Sequence, residues 1–240
     1  MKNILKTLAV GLAMVAATVT SVASAAETAL PAFDKARTAI VITDPQKDFL
    51  DEKGKLYGLV APNMKKLGTI KNIETLMQAA KSKNMTLAVD PLVYTKLDID
   101  WSNAGALQRQ LLDMKALYSD SLDPEKFEGT GADFYEPYKK YIKDGKTVVV
   151  APHKMYGPES NDLIYQLRSR GINTVLLGGL VANLCVDSHM RALMENGFKV
   201  YVVKDAVAAP GEEAYQAALV NYGMIANGVL TTAQATKALN

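Results

Sequence analysis

The sequence predicts an α/β fold, with three layers (α/β/α) around a mainly parallel sheet of six strands. Short apolar runs alternate along the chain with segments of helical period, an order typical of helices that connect parallel strands. The runs are continuously apolar, as expected for strands that are buried on both faces. Hydrophobic residues make up 49% and charged residues 22% of the 240 residues, which is the composition of a globular protein.

Each predicted element follows from a local pattern. Six apolar runs bounded by turn residues are the predicted strands: 38–43, 85–90, 147–150, 174–178, 199–203 and, with a weaker pattern, 228–232. Six segments of helical period are the predicted helices: 64–83, 104–118, 134–143, 160–170, 185–196 and 212–222. Gly171 and Gly197 stand where left-handed helix caps are expected. Residues 94–131 are the least regular part, which we interpret as a helix with long loops inside the same domain.

The first 25 residues are predicted to be an export signal. Lys2 and Lys6 precede an uncharged apolar run, and an Ala-Ser-Ala sequence ending at Ala25 fits the small-x-small cleavage pattern. The run is too short, and too rich in Ala and Thr, for a comfortable membrane span. A retained anchor is the alternative. We expect cleavage after Ala25 and a single domain over residues 26–240. The mature protein would then be periplasmic or secreted, without membrane attachment.

Charge and cysteine content narrow the function classes. The formal net charge is +2, and removal of the two signal lysines would bring it to zero. Bulk charge therefore gives no reason to expect a nucleic-acid partner. The chain has one cysteine, which excludes a disulfide scaffold. An unpaired thiol is unusual in an oxidising compartment, so this cysteine is a candidate functional residue.

The residues that follow three predicted strands bring a carboxylate, an amine and a thiol to one edge of the sheet. In a Rossmann-like sheet, ligands bind beyond the carboxyl ends of the strands. Asp44 follows the first strand, Lys154 the third and Cys185 the fourth. Each has a structural alternative: an Asp that caps a turn, a solvated loop lysine and an inert buried cysteine. Their common location indicates a catalytic site.

The three residue types together can support acyl transfer. Cys185 stands where a strand-to-helix turn ends, and the N–H groups and dipole of a helix start favour the nucleophilic thiolate. Asp44 could take the thiol proton and return it to a leaving amine. Lys154 could keep both partners charged.

Three segments resemble a known family. They are ITDPQKDFL, then VVVAPHKMYGPES, then GGLVANLCVDSHMRALMENGFKVYVVKDAVAA. Together they resemble the isochorismatase-like cysteine hydrolase superfamily, which includes nicotinamidases and N-carbamoylsarcosine amidohydrolases. The likeness spans about residues 38–209, and the segment around the cysteine is its most specific part.

The resemblance implies a mechanism and the residues for it. It implies a triad of Asp44 as general base and acid, Lys154 as its charged neighbour and Cys185 as nucleophile. It also implies a cis peptide at Leu180-Val181 and an oxyanion hole formed by the backbone amides of Val181 and Cys185. The implied activity is cleavage of an amide or ureido C–N bond of a small molecule through a cysteine thioester. A homo-oligomer is implied as well.

One departure from the family pattern concerns metals. Nicotinamidases of the superfamily bind a metal through Asp and His residues after the second strand. This chain reads DPLVY there, without a nearby histidine, and has two histidines in all. We therefore expect no metal and no cofactor, and nicotinamide becomes a doubtful substrate. True isochorismatases lack the cysteine nucleophile, so the cysteine here favours amide-type chemistry.

Several further residues have open alternatives. The predicted substrate pocket is formed by Phe49, Tyr94, Trp101, Tyr156 and Asn183, although aromatic residues also build cores and Asn183 could cap a helix. His189 lies one helical turn after Cys185 and could form a rival Cys–His pair. His153 could line the pocket or cap a loop. A relative without turnover and a redox sensor using the lone thiol are the alternative functions.

Overall fold

The computed structural model describes residues 30–240, so the predicted export signal lies outside the described residues. The strands are β1 Thr38–Thr43, β2 Thr86–Asp90, β3 Val148–Val149, β4 Thr174–Leu180, β5 Lys199–Ala208 and β6 Gly228–Leu230. They form one parallel sheet in the order β3-β2-β1-β4-β5-β6. The predicted parallel sheet of six strands is confirmed.

Helices flank this sheet and complete the predicted three layers. They are α1 Lys47–Leu50, α2 Tyr57–Leu67, α3 Thr69–Ser82, α4 Ala106–Asp113, α5 Lys139–Ile142, α6 Leu163–Ser169, α7 Asp187–Glu195, α8 Gly211–Ile225 and α9 Thr232–Ala238. The central strands β1 and β4 are buried at every residue, which accounts for their continuously apolar sequences. No helix within residues 30–240 is long and apolar enough to cross a membrane.

The structure differs from the predicted helices where the backbone turns left-handed. The helix predicted over 64–83 is instead two helices, because Gly68 interrupts it with a φ of 70°. The helix predicted over 104–118 ends early, since Lys115 and Leu117 adopt φ values of 48° and 53°. The short helix α1 and the C-terminal helix α9 have no counterpart among the predicted helices.

The carboxyl ends of three strands are brought together at one edge. Thr43, the last residue of β1, pairs with Asp90 of β2 on one side and with Gly179 of β4 on the other. Gly179 has a φ of 117°, and a Cβ atom there would lie 2.2 Å from the carbonyl oxygen of Thr43. Only glycine permits this close approach. The turns after β1 and β4 therefore begin side by side.

The irregular segment between β2 and α5 is tied to the turn after β1. The side-chain amide of Gln46 donates to the carbonyls of Leu92 and Ala132, both at 2.8 Å, and accepts from the Leu92 amide at 2.9 Å. Asp48 accepts from the amide of Leu117 at 2.6 Å. These buried bonds hold the segment against the sheet edge where Asp44 lies.

Candidate active site

Asp44 directly follows β1 and is completely buried. Its backbone has a left-handed φ of 50°, and its amide donates to the carbonyl of Asp90 at 2.9 Å. One carboxylate oxygen, Oδ1, lies 2.9 Å from Nε2 of His153. The other oxygen, Oδ2, has no hydrogen-bond partner among the described residues. The site thus contains a carboxylate with one held oxygen and one oxygen available for a proton.

Cys185 lies in a π-helical turn, Ala182–Val186, that connects β4 to α7. The Tyr222 hydroxyl donates to the carbonyl of Ala182 and anchors this turn. The thiol is 4% exposed and donates to the carbonyl of Met155 at 3.1 Å. The turn places the sulfur, an Asp44 oxygen and a His153 nitrogen within 4.8 Å of one another.

The turn before the cysteine has the backbone form that the resemblance implies. The peptide bond between Leu180 and Val181 is cis. Thr43 donates its hydroxyl hydrogen to the carbonyl of Leu180 at 3.0 Å, which links the turn to the end of β1.

The cationic neighbour of Asp44 is His153 rather than Lys154. The Lys154 ammonium lies instead 2.7 Å from Oδ2 of Asp98 and 3.2 Å from the carbonyl of Val93. The segment containing His153 pairs in parallel with Leu92, and successive side chains of an extended segment point in opposite directions. His153 therefore points to Asp44, and Lys154 points away from it towards Asp98. The structure thus places His153, and not the expected Lys154, beside Asp44.

The two groups that face Asp44 have shifted pKa values. Burial raises the pKa of the Cys185 thiol well above its ordinary value, and the nearby charge of Asp44 raises it further. The N–H of Val181 opposes this shift. Burial lowers the pKa of His153, but the charge of Asp44 and the hydrogen bond to it raise that pKa by more, so the net shift is upward. Burial and the nearby carboxylate therefore favour a protonated thiol, and the same carboxylate favours the protonated form of the His153 ring.

A second Asp–His pair lies behind the first. The His189 ring donates from Nδ1 to the carbonyl of Cys185 at 2.7 Å, and its Nε2 lies 2.8 Å from Oδ2 of Asp90. Asp90 Oδ1 accepts from the side-chain amide of Asn161 at 2.7 Å. Both nitrogens of His189 are thus engaged away from the sulfur, so the rival Cys–His pair with His189 is not formed. A role for Asp90 has no signal in the sequence beyond its position at a strand end.

The predicted pocket residues divide between buried and exposed positions. Phe49 and Tyr94 are buried, whereas Trp101 and Tyr156 are 36% and 38% exposed. Burial raises the pKa of Tyr94, and the charges of Cys185 and Tyr156 add to this shift. The side-chain oxygen of Asn183 is buried and finds no partner within residues 30–240.

Met155 is a site residue that sequence reasoning missed. Its carbonyl accepts from the thiol, and its sulfur accepts from the Tyr94 hydroxyl at 2.8 Å. Met155 and Tyr94 are both buried, and their contacts make them part of the surroundings of Cys185. In the sequence, only its position directly after Lys154 indicates a place for Met155 in the site.

The donor atoms near the thiol are of kinds that also bind metals. Those of Asp44, His153 and Cys185, and those of Asp90, His153 and His189, lie within 4.8 Å of one another. The imidazole–carboxylate contacts in the two sets are 2.9 and 2.8 Å, which are hydrogen-bond distances. The Asp44–His153 and Asp90–His189 contacts are therefore hydrogen bonds between side chains.

Solved structures of other proteins share this fold. A cysteine hydrolase from Pseudomonas syringae is similar with a TM-score of 0.66 and 20% identity, over 86% of this chain and 93% of that one. Nicotinamidase PncA from Bacillus subtilis is similar with a TM-score of 0.60 and 18% identity, over 81% of this chain and 99% of that one. At these identities the likeness is one of fold.

Sequence comparisons reach the family. The isochorismatase family protein YddQ of Bacillus subtilis is 27% identical over 124 residues, which are 46% of this chain and 69% of that protein. The sequence profile of the isochorismatase domain matches residues 38–234, a range that contains the whole sheet and Asp44, His153 and Cys185. By this match and by its fold, the chain belongs to the isochorismatase family, whose members are hydrolases.

Proposed function

We propose that the protein is an exported cysteine hydrolase that cleaves an amide or ureido C–N bond of a small molecule through a thioester on Cys185. One observation carries this proposal: the chain's single cysteine lies beside a buried carboxylate, Asp44, that keeps one oxygen free. A buried carboxylate next to a thiol is the arrangement that nucleophilic catalysis needs, because the thiol must lose its proton as it attacks.

In the first half of the proposed reaction, Asp44 takes the thiol proton on Oδ2 while the sulfur bonds to the substrate carbonyl carbon. Because the thiol pKa is raised, proton removal accompanies attack and does not precede it. We propose that the backbone N–H groups of Val181 and Cys185 stabilise the oxyanion. Asp44 then gives the proton to the departing nitrogen, the C–N bond breaks, and a thioester remains.

In the second half, water replaces the amine. Asp44 takes a proton from the water as its oxygen attacks the thioester carbonyl. The C–S bond then breaks and the sulfur takes the proton back, which releases a carboxylic or carbamic acid. The His153 ring, whose Nε2 lies 2.9 Å from Oδ1 of Asp44, holds the carboxylate in place through both half-reactions. Lys154, paired with Asp98, transfers no proton in this mechanism.

The burial of the thiol supports a small acyl group. The sulfur is 4% exposed, and Tyr94 and Met155 form part of its buried surroundings. A long or branched acyl chain would have to displace both side chains. The fold shared with nicotinamidase PncA supports amides as a substrate class. Burial and a raised pKa disfavour the alternative of a redox sensor, because reactive sensor thiols are exposed and readily ionised.

The proposal is tested with a panel of small carboxamides and ureido compounds. Protein lacking residues 1–25 is incubated with each compound, and released ammonia or amine is measured. We expect turnover of at least one compound, loss of turnover in Cys185→Ala, and a mass increase on Cys185 during turnover. Full activity in Cys185→Ala would overturn the assignment. Export and the implied homo-oligomer are tested separately, by locating the processed protein in fractionated cells and by light scattering.

A further inference from the structure

The second Asp–His pair connects the candidate base to the candidate nucleophile through Asp90. The backbone carbonyl of Asp90 accepts from the amide of Asp44 at 2.9 Å. Oδ2 of its carboxylate lies 2.8 Å from Nε2 of His189, and Nδ1 of His189 donates to the carbonyl of Cys185 at 2.7 Å. The chain of contacts runs from the residue that carries the base to the residue that carries the thiol.

The pair is buried and fully bonded. Asp90 and His189 are completely inaccessible to solvent. Asn161 donates to the second carboxylate oxygen of Asp90 at 2.7 Å and so fixes the plane of that carboxylate. A backbone carbonyl can only accept, so the hydrogen that lies between His189 and Cys185 belongs to Nδ1 of the ring. Buried groups with every bond made have a single arrangement, which makes the link rigid.

The Asp90–His189 link also joins two residues whose backbone is not part of a regular strand or α-helix. Asp44 has a left-handed backbone, and Cys185 lies in a π-helical turn rather than in a regular helix. Neither conformation is fixed by a repeating hydrogen-bond ladder across β1 and α7. Contacts from a third element, β2, therefore add to the direct pairing of β1 with β4 in setting how far the base is from the sulfur.

We propose that Asp90 and His189 are positioning residues that set the distance between the carboxylate of Asp44 and the sulfur of Cys185. The proposal rests on the proposed function in that Cys185 is the nucleophile. Neither residue touches the reacting atoms. They act through the backbone carbonyl of Cys185 and the backbone amide of Asp44.

Two variants separate the effect of the Asp90–His189 hydrogen bonds from the effect of the Asp90 charge. In Asp90→Asn, the new amide donates to a neutral His189 ring and its oxygen still accepts from Asn161, so the link stays complete. In His189→Gln, one amide cannot reach both Asp90 and the Cys185 carbonyl, so the link is broken. Asp90→Ala breaks the link without leaving a buried unpaired carboxylate, and it serves if His189→Gln does not fold.

The first measurement needs no substrate. The pH dependence of alkylation by iodoacetamide, followed by mass spectrometry, reports the pKa of the single thiol. The charge of Asp44 raises that pKa, so a wider separation lowers it, and the charge of Asp90 raises it to a smaller extent. We expect the midpoint to fall by about one pH unit in His189→Gln, in which both carboxylates remain, and by at least as much in Asp90→Ala, which loses both the link and the charge. In Asp90→Asn, which loses the charge but keeps the link, we expect a clearly smaller fall. Asp187→Asn is the matched control, since Asp187 lies on the same helix α7 and bonds Arg191.

The second measurement is turnover of a substrate found in the panel. We expect kcat to fall about tenfold in His189→Gln with KM within about twofold, and Asp90→Asn to restore kcat to within about threefold of wild type. Folded link-breaking variants with a wild-type midpoint would overturn the proposal, as would an Asp90→Asn variant that matches His189→Gln. If no compound is hydrolysed, the proposed function fails, and the alkylation midpoints still decide the positioning proposal.

Discussion

Nε2 of His153 lies 2.9 Å from Oδ1 of Asp44, and both side chains are completely buried. An imidazole therefore takes the position beside the carboxylate for which the resemblance implies a lysine. An imidazolium can lose its proton near neutral pH, whereas a lysine ammonium stays charged there. The positive charge that His153 can bring to Asp44 is consequently sensitive to pH in this protein.

The neighbouring cations His153 and Lys154 are distinguished by the same substitution at each position. We expect His153→Gln to lower kcat by at least about 100-fold, because the amide can donate to Asp44 but brings no positive charge. We expect Lys154→Gln to lower it by less than about fivefold, since the pair with Asp98 is partly exposed. Steady-state kinetics on a substrate from the panel measures both. Equal losses in the two variants, or a larger loss for Lys154→Gln, would contradict the role of His153 beside Asp44.

The sequence was sufficient to predict the sheet and two of the three central residues. Continuous apolar runs are local signals, and Asp44 and Cys185 directly follow strands or the turn after a strand, where the topology alone fixes their edge of the sheet. The choice between His153 and Lys154 depends on the register in which their segment pairs with Leu92, which lies far away in the sequence. A shift of one residue in the pairing with Leu92 would exchange the directions of the two side chains. No pattern within the segment VVVAPHKMY encodes that register.

The role of Asp90 is hidden for a similar reason. Its partners His189 and Asn161 are 99 and 71 residues away along the chain. Nothing near Asp90 in the sequence indicates which side chains meet it. The helix boundary at Gly68 has a local signal, because glycine commonly ends helices in the left-handed conformation, whereas the left-handed Lys115 has no such signal in the sequence.

The influence of Asp44 on the thiol can be measured directly. In Asp44→Asn the carboxylate charge that raises the pKa of Cys185 is gone, so that pKa falls. We expect the rate of alkylation by iodoacetamide at pH 7.5 to rise by about tenfold, while turnover is lost because no base remains. Mass spectrometry reports the modification on the single cysteine. Asp98→Asn, which removes the carboxylate paired with Lys154, is the control. An unchanged alkylation rate in Asp44→Asn would show that the two groups do not interact.

The raised pKa of His153 predicts how stability depends on pH. The folded state holds this proton more tightly than the unfolded state, whose ordinary value is 6.5. The stabilisation is therefore fully present below pH 6.5 and is lost as pH rises through the folded-state pKa. We expect the difference in Tm between wild type and His153→Gln to be largest near pH 6 and to shrink towards pH 8.5. Thermal unfolding in matched buffers measures it, and a difference that is constant with pH would contradict the shift.

The close approach of β4 to β1 at Gly179 predicts the cost of a single methyl group. In Gly179→Ala, the new Cβ would lie 2.2 Å from the carbonyl oxygen of Thr43, on a residue with a φ of 117°. Relief requires the ends of the two strands to separate, and with them Asp44 and the turn that holds Cys185. We expect a loss of about 3 kcal/mol in the free energy of unfolding, and loss of turnover even where the variant is fully folded. Chemical denaturation and the activity panel measure the two effects.

Gly223→Ala is the matched control for this change. Gly223 lies within α8, and a Cβ there would meet nothing within 4 Å. Replacing an unstrained helical glycine by alanine should raise the free energy of unfolding by up to about 1 kcal/mol and leave turnover unchanged. If Gly179→Ala behaved like Gly223→Ala in both measurements, the ends of β1 and β4 would have room that the structure does not show. The tight contact between Thr43 and Gly179 would then not be what holds the base and the nucleophile together.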